Sequence, residues 1–80
     1  MNRITIFLNS PLFRFNGPDS HLPNGVIVVE GTLIEEVTDG IGIATDKMCD
    51  SRGNELSTAN MNLQIPWSKV DHVWNNTPLP

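Results

Sequence analysis

Eighty residues with a net charge of −4 suffice for one core, because a chain this short buries only about 60% of the surface its unfolded form exposes. That size argues against a large enclosed catalytic cleft and puts any binding site on the outer surface or between copies of the chain. With 39% hydrophobic and 18% charged residues, the composition is that of a folding chain rather than a highly charged disordered one.

No apolar run approaches the roughly 18 residues needed to cross a bilayer, and Met1 to Leu8 lack the pattern of a secretory signal. A cytoplasmic location without membrane contact is therefore expected, and the lone Cys49 agrees, since small secreted domains usually pair their cysteines. The charge is asymmetric. Residues 1–16 hold Arg3 and Arg14 and no acid, whereas residues 17–80 set Lys47, Arg52 and Lys69 against nine acids, a balance of −6. So acidic a body repels phosphate backbones, and nucleic-acid binding would have to be local.

In chain order, Ile4, Ile6 and Leu8 alternate with Thr5 and Phe7, the period of a strand. Asn9-Ser10-Pro11 reads as a turn and Leu12 to Phe15 as a returning strand, so that residues 1–16 form an N-terminal hairpin. Asn16 to Gly25 has loop composition. From Val26 to Val37 the apolar Ile27, Val29, Leu33 and Val37 share one parity. Gly31 inside this long strand marks a bend or bulge.

Asp39-Gly40 suits a two-residue hairpin whose central positions need positive φ, and Ile41 to about Cys49 forms the next strand. Ser51-Arg52-Gly53-Asn54 is a turn. Glu55 to Asn60 shows no clear period and reads as loop or ragged strand. Met61, Leu63 and Ile65 alternate again until Pro66, which has no donor for a ladder. A tight turn through Trp67 to Lys69 leads into a last strand, Val70 to Trp74, with residues 75–80 as a tail. No segment has sustained helical periodicity. Five to seven short antiparallel strands in one all-β domain, barrel-like over residues 26–74, are predicted.

The run Ile65-Pro66-Trp67-Ser68-Lys69-Val70-Asp71-His72-Val73 resembles the end of an SH3-like barrel, where a strand enters a Pro-led 3₁₀ turn and then a final strand. It is also similar to the one-turn junction of Sm-like barrels, and the Gly31-Thr32-Leu33 strand with its hairpin fits either family. The resemblance spans about 50 residues and implies architecture alone. Ser68 and Lys69 stand where peptide-binding SH3 domains carry Asn and Tyr, and the chain has no tyrosine. Pro66-Trp67 stand where Sm proteins carry Arg-Gly, and no aromatic-x-Asn follows Asp39 to read a uridine.

Several groups invite a chemical reading. Asp19-Ser20-His21 contain triad residue types, but neighbours on a loop do not converge as a triad must. Asp46, Cys49 and Asp50 match no common zinc or calcium spacing. Glu30, Glu35, Glu36 and Asp39 are best read as solvated negative surface, since adjacent strand residues point to opposite faces. No catalytic residue, metal or cofactor is expected. Phe7, Phe13 and Phe15 are more apolar mass than one hairpin buries, and Trp67, Lys69, His72 and Trp74 crowd the last turn and strand. Aromatic groups of this kind anchor interfaces, although a tryptophan can instead cap the core. Together these seven residues are the candidate partner-binding set of a non-enzymatic protein-interaction or assembly module, self-association included. The alternatives are an Sm-like single-stranded nucleic-acid binder using Lys69, Arg52 and exposed aromatics, and a small acidic inhibitor of a larger enzyme.

Overall fold

The computed structural model describes residues 2–12, 25–56 and 60–76. Within them run six antiparallel strands: β1 (Arg3–Leu12), β2 (Val26–Val37), β3 (Gly40–Cys49), β4 (Glu55–Leu56), β5 (Met61–Pro66) and β6 (Val70–Asn75), with a single 3₁₀ turn, Trp67–Lys69, between the last two. The sheet order is β4-β3-β2-β1-β6, and β5 lies beside the first half of β3. The all-β expectation holds. The closure expected of a barrel is not formed, because β5 and β6 share no ladder among the described residues.

Alternation of apolar and polar residues supplies the core. Ile4, Ile6 and Leu8 of β1 face Val29 of β2, Ile41, Ile43 and Met48 of β3 and Ile65 of β5, all buried, with Val70 and Val73 of β6 packed against them. Residue Ile6 pairs with Val29 on one side and Val73 on the other, so the first strand is central although the chain begins there.

Of the bend or bulge predicted at Gly31, a bulge is present, and sterics require glycine there. A Cβ at Gly31 would overlap the Ala44 carbonyl oxygen and lie 2.7 Å from the Thr45 Cα. Here β3 is bulged: Glu30 pairs with Lys47 but Gly31 with Thr45, leaving Asp46 outside the register. The buried Thr45 hydroxyl shares its proton between the carbonyls of Glu30 and Lys47, at 2.9 and 3.1 Å, which satisfies backbone that the bulge would otherwise strand. A second shift leaves Ile34 out of register between Leu33 and Glu35.

The single parity expected along β2 holds for Ile27, Val29 and Leu33, which lie in or against the core, and fails at Val37, which is exposed, because the extra residue Ile34 exchanges the faces of the residues beyond it. Val26, of the other parity, is buried as well. The hairpin also turns one position early. Val37 pairs with Gly40 across Thr38 and Asp39, and neither loop residue has positive φ. Gly40 is required for another reason: a Cβ there would run into the Ile65 carbonyl of β5.

The expected turn at Asn9-Ser10-Pro11 is likewise corrected. β1 continues through these residues to Leu12, which pairs with Val26. The 3₁₀ turn takes up their polar groups: Asn9 Nδ2 donates to the Ser68 carbonyl at 2.7 Å, and Lys69 Nζ donates to Ser10 Oγ at 2.7 Å and to the Pro11 carbonyl at 3.1 Å. Pro11 sits where the β1–β2 register is interrupted, as a residue without a donor must. The remainder of the proposed hairpin lies outside the described residues. Beyond β3, Asp50 Oδ1 accepts from the backbone N–H of Arg52 and Asn54, both at 2.9 Å, and Gly53 takes φ +82°, forming the expected turn. Part of Glu55 to Asn60 becomes the two-residue β4, and the last strand extends to Asn75.

Gly31→Ala is expected to destabilise the protein by about 2–3 kcal/mol, since backbone must shift to admit the methyl group. Gly53→Ala, in open space at positive φ, is expected to cost only about 1 kcal/mol. Urea unfolding of the two variants compares a steric with a conformational penalty.

Candidate functional site

The register carries two rows of side chains across the outer face. Thr5 pairs with Trp74 and Glu30, and Glu30 with Lys47; Phe7 pairs with His72 and Val28, and Val28 with Cys49. Phe7 and His72 of the second row and Trp74 of the first build an aromatic cluster. Phe7 and His72 stack with ring centroids 4.3 Å apart and planes 13° from parallel, while Trp74 tilts at 56° over Phe7 at 4.7 Å. Phe7 is half-buried and His72 exposed, and Trp74 is 57% exposed. Residues sixty-five positions apart in sequence thus form one surface, because β6 pairs with β1.

A bulge shapes this surface too. Phe7 pairs with His72 but Leu8 with Val70, so Asp71 falls out of register and comes to the side of its neighbour. His72 Nδ1 lies 2.9 Å from Asp71 Oδ2. A carboxylate only accepts, so Nδ1 carries the proton and the ring is held in the orientation that stacks on Phe7.

Beside the cluster the β3–β4 turn closes an open depression of about 360 Å³, with Phe7, Ile27 and Val28 among its apolar lining and Asp50, Asp71 and His72 among its polar lining. A second open depression, about 460 Å³, is lined by polar groups including Thr32, Asp46, Asn60 and Asn62. Among the described residues no group of three His, Cys, Asp or Glu is arranged to hold a metal ion, and no helix is long and apolar enough to cross a membrane.

The candidate set is therefore divided. Phe7, His72 and Trp74 converge. Trp67 does not join them: its indole Nε1 donates to the Val37 carbonyl at 2.8 Å and its backbone N–H to the Asp39 carbonyl at 3.3 Å. Nor does it cap the core, being 38% exposed; it clamps the β2–β3 hairpin to the end of β5. Lys69 serves as a tie to β1 through Ser10 and Pro11. Phe13, Phe15 and the Asp19-Ser20-His21 run lie outside the described residues. No family model matches this chain, and neither a curated protein nor a solved structure matches it.

Sequence reasoning missed the polar end of the same face. Arg3 forks onto Asp46, Nη1 donating to Oδ2 at 2.8 Å and Nη2 to Oδ1 at 3.0 Å, and Nη2 reaches Glu30 at 3.3 Å. Only the bulge at Asp46 makes this possible, and nothing in the spacing of residues 3, 30 and 46 announces it. The hydrogen bond to Asp46, followed by that to Glu30, raises the Arg3 pKa above its ordinary value. The Arg3 hydrogen bond in turn holds the Asp46 carboxyl below the ordinary 3.8. Asp50 is also held low, first by the Asn54 backbone N–H.

A carboxyl whose folded pKa is depressed stabilises the fold above its unfolded value and loses that contribution as pH falls through the folded value. Stability is therefore expected to decline as pH drops below 3.8, and Asp46→Asn is expected to flatten part of that decline. The effect is small and weakens with salt because the pair is exposed. Urea midpoints followed from neutral to acid pH, at low and high salt, check both points.

Proposed function

We propose that this chain is a non-enzymatic interaction module that docks a protein partner, or a second copy of itself, on the Phe7–His72–Trp74 face. The framework is best read as an SH3-like or Sm-like barrel left open. The meander β5-β3-β2-β1-β6 with a Pro66-led 3₁₀ turn joining its two ends supports that reading.

The observation that carries the proposal is the exposed ring cluster. A tryptophan left more than half in water forgoes stabilisation on the order of 2 kcal/mol that burial would bring, and clustered exposed aromatics mark sites that a partner covers. Catalysis draws no comparable support: Ser51, Asp71 and His72 line one depression, but among the described residues no hydrogen bond joins Ser51 to His72. Nucleic-acid binding draws less, because Lys69 is tied to Ser10 and Pro11 and Arg3 to Asp46 and Glu30.

Trp74→Ala is expected to change stability by less than about 1 kcal/mol, as a surface substitution does, while abolishing self-association or partner binding read by sedimentation and cross-linking. A strict monomer at high concentration, from which no partner is recovered, overturns the proposal.

One further observation favours the acidic-inhibitor reading. Glu35, Glu36 and Asp39 are exposed beside exposed Ile34 and Val37 at the hairpin end, and among the described residues no cation pairs with them. On that reading the triple change Glu35→Gln, Glu36→Gln, Asp39→Asn removes binding to a basic target and Trp74→Ala spares it. The opposite pattern assigns function to the ring cluster.

A further inference from the structure

We infer that the depression beside Phe7 and His72 receives a basic side chain, arginine above all, from an otherwise apolar segment of a partner protein. The inference rests on the interaction reading of the ring cluster and specifies its partner's chemistry. Three features of the depression converge on that occupant. Its apolar part, Phe7, Ile27 and Val28, matches the methylene stem of a long cationic side chain, which packs on apolar surface while its head stays polar. His72, backed on one side by Phe7 and with 47% of its side chain exposed, offers a flat ring of the kind on which a guanidinium stacks.

The third feature is charge. Asp50 and Asp71 both line the depression, and a carboxylate fork is the natural complement of a guanidinium. Asp50 is already fixed in place by the Arg52 and Asn54 backbone N–H groups, so little ordering remains to be done on binding. Asp71 gives one oxygen to His72 and keeps the other for a ligand. Arg52 shares the turn with Asp50 and donates its backbone N–H to it, but among the described residues no ion pair joins the Arg52 side chain to that carboxyl. The net charge of −4 favours cations over phosphate at the surface.

The test is an NMR titration of the full, isotope-labelled chain with an end-blocked pentapeptide carrying arginine between two leucines, and with its uncharged citrulline twin. The arginine peptide is expected to shift the Gly53 amide and the Trp74 indole N–H saturably and to bind at least about tenfold tighter than the citrulline peptide. Binding is expected to weaken with salt and by about tenfold in Asp71→Asn, an exposed substitution that leaves the core alone. Equal binding of both peptides at these residues overturns the inference while leaving the face an interaction surface. Shifts caused by oligouridylate, and not by the arginine peptide, overturn it in favour of nucleic acid. No shift with any probe up to millimolar concentration overturns it as well, and the interaction reading then stands or falls on Trp74→Ala.

Discussion

Everything in this sheet is organised by the place where the backbone of β2 at Gly31 meets the bulged backbone of β3 at Ala44 and Thr45. The approach is too close for any side chain at residue 31, and there β3 carries one residue more than β2, Asp46. That single contact acts on both faces of the sheet. Inside, the Thr45 hydroxyl bonds the Glu30 and Lys47 carbonyls. Outside, the displaced Asp46 meets Arg3, so the same bulge also ties β1 across β2 to β3.

The ends of the chain meet by similar logic. β6 lies against β1, and the 3₁₀ turn before it is stitched to both neighbours: Trp67 to the hairpin carbonyls, Ser68 and Lys69 to Asn9, Ser10 and Pro11. Two of the candidate residues, Trp67 and Lys69, thereby act as structural ties. Phe7, His72 and Trp74 meet as one surface. The bulge at Asp71 places a carboxylate next to that surface, where regular alternation would have sent it to the other face.

Much of the fold could be read from residue order because period-two alternation is a local signal. The strands around Ile4 to Leu8, Ile41 to Cys49 and Met61 to Ile65, the turn after Asp50 and the Pro66 stop all stand close to where their residues place them. Parity along β2 held as far as Leu33 and failed at Val37, because the extra residue Ile34, set by pairing with a different strand, exchanges the faces beyond it. The Asn9-Ser10-Pro11 turn failed because its composition matches a turn, yet its polar groups find partners sixty positions away.

The chain's own residues determined an all-β fold, its glycine-marked bulge, its acidic balance and the aromatic character of its last strand, since alternation, turn chemistry and charge act between neighbours in sequence. Only the tertiary structure decided which aromatics meet, which cations are already engaged and where the carboxylates stand. Those outcomes depend on strand register, and register is fixed by packing between segments that the sequence holds far apart.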